Sequence, residues 1–112
     1  MDVMTAEITE TSNEVAVHGR FDAHLAPEVQ DWIDARLFDE RFDLGVDLSD
    51  VTFIDSTALA VLVRGMKRSR LAGGDLVLRD PSETVRVILE LTRLDAAFEI
   101  VISAESSTAG DD

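Results

Sequence analysis

Few side chains in this sequence have a type and spacing that supports chemistry. His18 and His24 are its two histidines. No carboxylates cluster around them at metal-ligand spacing, so no metal site is expected. Cysteine is absent, which removes thiolate ligands, a cysteine nucleophile and any disulfide framework. Ser56, His24 and Asp22 could combine as nucleophile, base and orienting carboxylate, because triads assemble in space. A chain this rich in aspartate meets that description by chance, and no catalytic residue is assigned. Gly73-Gly74 follows a helical segment rather than opening one, so it is no phosphate-cradling loop. No cofactor is expected, and the chain does not read as an enzyme.

The segment Phe53-Ile54-Asp55-Ser56-Thr57-Ala58-Leu59-Ala60 is more informative. It sets a hydroxyl at the mouth of a helix, where the first backbone N–H groups have no intrahelical acceptor. Two readings follow. Asp55 or Ser56 caps the helix, an arrangement worth about 1 kcal/mol. Alternatively, Ser56 is a phosphorylation switch, since a helix N-terminus tolerates the roughly −1.5 to −2 charges of a phosphate.

Alternating and helical periodicities define the elements that hold this segment. Met4, Ala6 and Ile8 alternate with Thr5, Glu7 and Thr9. Thr11-Ser12-Asn13-Glu14 then offers a turn, and a second strand through Val15 and Val17 closes at Gly19, making a hairpin. Leu25, Val29, Trp32, Ile33 and Leu37 recur at helical spacing, with Pro27 in the first turn. Asp43 to Leu48 is a short strand and Ser49 to Ile54 a loop. A helix from Asp55-Ser56-Thr57 carries Leu59, Leu62, Val63 and Met66 and ends in Lys67, Arg68 and Arg70 before Gly73-Gly74. Asp75 to Arg79 is a strand, and Pro81-Ser82-Glu83 opens a helix with Val85, Ile88, Leu89 and Thr92 on one face. A short turn through Leu94 and Ala97 precedes a last strand, Ile100 to Ile102. The order ββαβαβαβ is an α/β layer fold: a small mixed sheet of four to five strands, with helices packed mainly on one face. Strand–helix–strand units of this length imply parallel pairing.

With 112 residues, the chain forms one domain, expected over residues 1–102. Residues 103–112 are small, polar and acidic, and are expected to be a disordered tail. No apolar run reaches the roughly 20 residues a membrane-spanning helix needs. The first residues lack the features of a signal peptide, so a cytoplasmic protein without direct membrane insertion is expected. The net charge of −13 opposes nucleic-acid binding and loose self-association, which favours a monomer. Arg64, Lys67, Arg68 and Arg70 form the one local basic cluster, read as charges that suit their own helix dipole.

At this level of detail the stretch Val46 to Val63 resembles the core motif of STAS domains, in particular the bacterial anti-sigma factor antagonists. Their pattern is an apolar strand, a loop, then Asp-Ser-Ser/Thr-Gly-Leu-Gly. Gly19-Arg20-Phe21-Asp22 with Ala26-Pro27, Gly73-Gly74 before a strand, and Pro81-Ser82 at the next helix are also similar to that family. The resemblance spans residues 3 to 102. It implies an unphosphorylated form that binds an anti-sigma factor serine kinase of the histidine-kinase-like ATPase fold and so frees a sigma factor. The kinase then phosphorylates Ser56, and a PP2C-type phosphatase restores the active form. Asp55 would position the Ser56 hydroxyl, and Asp22 would share its docking surface. Thr57, Ala58, Ala60 and Val61, on exposed first turns, would contact the partner. Ala58 and Ala60 replace the family glycines, and Leu25 stands where a capping Thr or Ser is usual. The second reading that the resemblance allows is an accessory subunit of a lipid-transport ABC system, or a signalling scaffold, with no phosphorylation switch.

Overall fold

Alternation of buried and exposed side chains sets one face of a sheet against helices. In the computed structural model, which describes residues 6–103, the strands are β1 (Glu7–Glu10), β2 (Glu14–Phe21), β3 (Asp43–Ile54), β4 (Asp75–Arg79) and β5 (Glu99–Val101). They lie in the order β1-β2-β3-β4-β5. β1 pairs antiparallel with β2, and the other pairs are parallel. Val15, Val17, Leu44, Val46, Leu48, Leu76 and Leu78 are buried on the helix side. On the other face, Ala16, His18, Asp47, Val77 and Arg79 remain half-exposed. A hydrogen-bonded line crosses three strands of that open face, from Thr9 Oγ1 to His18 Nε2 (3.1 Å) and from His18 Nδ1 to Asp50 Oδ2 (2.9 Å).

The helices are α1 (Ala26–Phe38), α2 (Ser56–Leu71) and α3 (Glu83–Leu91), with a 3-10 turn at Leu94–Ala96. α1 packs on β2 and α2, α2 on β3 and β4, and α3 on β3. In α2, Ala58, Val61, Leu62, Gly65, Met66 and Ser69 are buried, the i, i+3, i+4, i+7 stripe of a core-facing helix. Gly65 is where α2 comes closest to its neighbours: an added Cβ would lie 2.9 Å from both Ile33 and Leu76 side chains. Beyond Leu71, Gly74 N–H bonds Ser69 O and Gly73 N–H bonds Arg70 O, with Gly73 at φ +101°. That is a Schellman ending, and it makes Gly73 the left-handed residue.

The structure changes several expectations. Gly19 does not close β2. It takes φ +87°, and the strand runs two residues further, to Phe21. Ser49 to Ile54 is not a loop but the second half of β3, paired with His18 to Phe21. The register slips twice along this stretch, between Ala16 and His18 and between Gly19 and Arg20. Each slip places an extra residue on β3, a bulge that shifts the alternation. Leu25 is the N-cap of α1 rather than a residue within it, and Thr92 is the exposed C-cap of α3. β5 begins and ends one residue earlier than the pattern suggests. Ser103, assigned to the tail, is fastened to Asp80: its N–H donates to Oδ1 at 2.6 Å and its hydroxyl to Oδ2. Met4 of the first strand and residues 104–112 lie outside the described residues.

Candidate functional site

The ends of β2 and β3 and the starts of α1 and α2 meet at one end of the sheet. Phe21 and Ile54 are paired, and Asp55 N–H donates to Phe21 O at 3.2 Å. Asp55 is the N-cap of α2, with extended backbone at φ −114° and ψ 179°. Its Oδ1 accepts from Ala58 N–H at 2.9 Å, and its Oδ2 accepts from Ala23 N–H at 2.9 Å. One carboxylate therefore caps α2 and holds the turn before α1.

Asp22 organises that turn from inside. Its Oδ1 accepts from His24 N–H at 3.0 Å and, more weakly, from Leu25 N–H at 3.4 Å. Its carbonyl accepts from Leu25 and Ala26 N–H at 3.0 and 2.8 Å. Leu25 makes no side-chain cap; Asp22 serves the N–H groups of His24, Leu25 and Ala26, and the Glu28 N–H that a Ser or Thr at position 25 would cap bonds the Leu25 carbonyl at 3.0 Å. Arg20 Nε lies 3.5 Å from Asp22 Oδ2. Desolvation raises the Asp22 carboxyl, but the Leu25 and His24 N–H groups together with Arg20 outweigh it, leaving the group below its ordinary 3.8. The Arg20 guanidinium also stacks 4.0 Å over the Phe53 ring, a cation–π contact. Phe53 is 37% exposed.

Ser56 is the first residue of α2 and is exposed, as is Thr57. Asp55 already supplies the cap, so the Ser56 hydroxyl has no capping duty. Ala60 is half-buried. Ala58 and Val61 do not belong to the surface: at 0% and 3% exposure they face the core, in phase with Leu62 and Gly65. The expectation that they contact a partner is corrected on that ground. The Ala58 methyl, at a position where the family resemblance leads one to expect glycine, is therefore turned away from the exposed Ser56.

Other groupings resolve differently. Asp22 touches His24 through that residue's backbone N–H, and among the described residues no hydrogen bond joins Ser56 to either, so the triad is not assembled. Three of the four residues of the basic cluster are tied down within the fold: Arg68 to Asp34 at 2.6 Å, Arg70 to Asp75 at 2.8 Å, Arg64 to Gln30 at 3.4 Å. Among the described residues no three His, Asp or Glu side chains gather to hold a metal, and no helix is long and apolar enough to cross a membrane. The Asp55–Ala23 bond and the Arg20–Phe53 stack are the site features that sequence reading misses. Each joins residues more than thirty positions apart, and no local pattern signals either.

Comparison with known proteins gives a consistent picture. The STAS domain family matches residues 4–109. The anti-sigma-B factor antagonist of Listeria monocytogenes is 33% identical over 87 residues, 78% of this chain and 76% of that protein. The crystal structure of a candidate anti-sigma factor antagonist from Thermotoga maritima superposes with a TM-score of 0.75 at 26% identity, covering 93% of this chain and 92% of the other. The phosphorylated form of the Bacillus cell fate determinant SpoIIAA shares the fold, with a TM-score of 0.68 at 17% identity over 94% and 96% of the two chains.

Proposed function

This chain belongs to the STAS domain family, and on that footing we propose that it acts as an anti-sigma factor antagonist switched at Ser56. In this reading the unphosphorylated protein, a cytoplasmic monomer, binds a serine-kinase anti-sigma factor of the histidine-kinase-like ATPase fold and thereby releases a sigma factor. The kinase phosphorylates Ser56 and dissociates, and a PP2C-type phosphatase reverses the modification. The chain is acted upon and performs no catalysis of its own.

The observation that carries this reading is the division of labour at the start of α2. Asp55 does the capping, so a phosphate on Ser56 leaves the helix terminus intact while changing what a docked protein meets. Moving a partner from about 99% to 1% bound takes about 5.5 kcal/mol of differential affinity. Roughly two added negative charges, beside Asp55 and with Asp22 on the neighbouring turn, oppose an interface centred there, and an uncompensated interfacial charge costs several kcal/mol. The name of the Listeria relative and the existence of a phosphorylated SpoIIAA on the same fold support the reading. Exposed Ser56 and Thr57, half-buried Asp22 and the Arg20–Phe53 pair would form the contact surface.

The test is direct. Incubation with a kinase anti-sigma factor from the same genome and ATP is expected to add about 80 Da to Ser56, located by peptide mass spectrometry. Ser56→Ala is expected to keep the complex intact in ATP, and Ser56→Asp to weaken it. Phosphate found on Thr57 instead, or a Ser56→Asp protein that binds as tightly as the parent, overturns the proposal.

A further inference from the structure

Away from Ser56, a groove of about 340 Å³ separates Ile8 and Glu10 of β1 from Glu28, Asp31, Trp32 and Arg36 of α1. Trp32 is 4% exposed, yet its indole N–H has no acceptor among the described residues. Arg36 sits with its guanidinium 5.4 Å from the Trp32 ring, and its Nε is buried and equally unmatched. Buried donors without acceptors are uncommon because desolvating them is costly. Here both residues line one groove.

The surroundings define what fits. Among the described residues β1 is an edge strand, paired with β2 alone, so its outer side offers backbone N–H and C=O groups there as a template for another strand. Three carboxylates, Glu10, Glu28 and Asp31, outnumber Arg36 on the rim. An occupant must bring hydrogen-bond acceptors for the indole and guanidine N–H groups and positive charge for the rim. Phosphate-rich ligands fail the second requirement, and a bare metal ion fails the first. An extended basic peptide meets both: carbonyls along its backbone, and lysine or arginine side chains on alternate positions.

We propose that this groove docks an extended, basic segment of a partner protein, which adds to the free edge of β1, gives carbonyl acceptors to Trp32 and Arg36, and sets its cations against Glu10, Glu28 and Asp31. The proposal does not rest on the Ser56 reading, and either can fail alone.

Trp32 is the sole tryptophan, so the indole N–H gives a single resonance in a proton–nitrogen correlation spectrum of the full chain. The probe is a short peptide alternating lysine with valine, and the control replaces every lysine by glutamate. Titration of the lysine peptide is expected to move the indole resonance downfield to saturation, together with the amides of Glu7 to Glu10, while those of Ser56 and Thr57 stay in place. A Glu10→Lys/Asp31→Lys double variant is expected to bind at least about ten-fold more weakly, and Glu28→Gln to weaken binding by less with no charge reversal to disturb the fold. No shift at millimolar lysine peptide, or equal shifts with the glutamate control, overturns the proposal. So does an indole resonance that moves with protein concentration alone as the molecular mass doubles, since the occupant is then a second copy of this chain.

Discussion

Asp55 holds two backbone segments with the two oxygens of one side chain, and the residue scale is where this site is most exposed to change. Asp55→Ala removes a cap worth about 1 kcal/mol and a charged hydrogen bond to Ala23. The expected loss is about 2 kcal/mol in urea unfolding, with weaker binding to the proposed kinase partner. Asp55→Asn, which still caps well, is expected to lose less. Ser69 is a contrasting case: fully buried, with its hydroxyl unmatched among the described residues. Ser69→Ala is expected to stabilise the fold by about 1 kcal/mol, measured in the same way. That Asp55 and Ser56 begin a helix is legible in sequence because capping is local chemistry. The second bond of Asp55 is not, because Ala23 becomes its neighbour only after β2 and β3 pair. The burial of Ala58 and Val61 did have a signal: they share the helical phase of Leu62 and Met66.

At the scale of elements, α2 and β4 are readable because their boundary chemistry and periodicity agree. The second half of β3 is not. From Leu48 onward the buried residues Leu48, Val51 and Ile54 fall three apart, neither the strand period of two nor a helical stripe, because the two bulges reset which face each residue meets. Partner-dependent irregularity of this kind leaves no mark in one strand read alone. The turn after α2 separates two neighbouring glycines in the same terms. An added Cβ at Gly73 meets open space but inherits φ +101°, whereas at Gly74 it would stand 2.1 Å from the Phe42 carbonyl oxygen. Gly73→Ala is expected to cost about 1 kcal/mol from backbone strain. Gly74→Ala is expected to cost more, about 2–3 kcal/mol, because Phe42 must move and its carbonyl accepts the Asp75 N–H that starts β4 pairing. Thermal melts of the two variants order them.

For the whole molecule, the excess of acidic groups makes acid the condition to examine. Arg68 holds the Asp34 carboxyl below its ordinary 3.8, against a smaller rise from partial burial and with help from the Gln30 amide. A carboxyl lowered in the folded state binds fewer protons there than in the unfolded chain. Its contribution is therefore complete above about pH 4 and fades as pH falls further, through the folded value. Calorimetry between about pH 5 and pH 3 is expected to show a shallower fall in melting temperature for Asp34→Asn than for the parent. Equal slopes would mean that the α1–α2 bridge is too well solvated to matter. The clamp at Asp55 has a kinetic corollary at this same scale. On the proposed docking at Ser56, a face whose loops are already fastened would need no ordering when another protein arrives, and encounter would proceed between rigid bodies at a rate governed by diffusion and long-range charge. The proposed modification of Ser56 would then have little to unravel, and its effect would fall on how long the visitor stays.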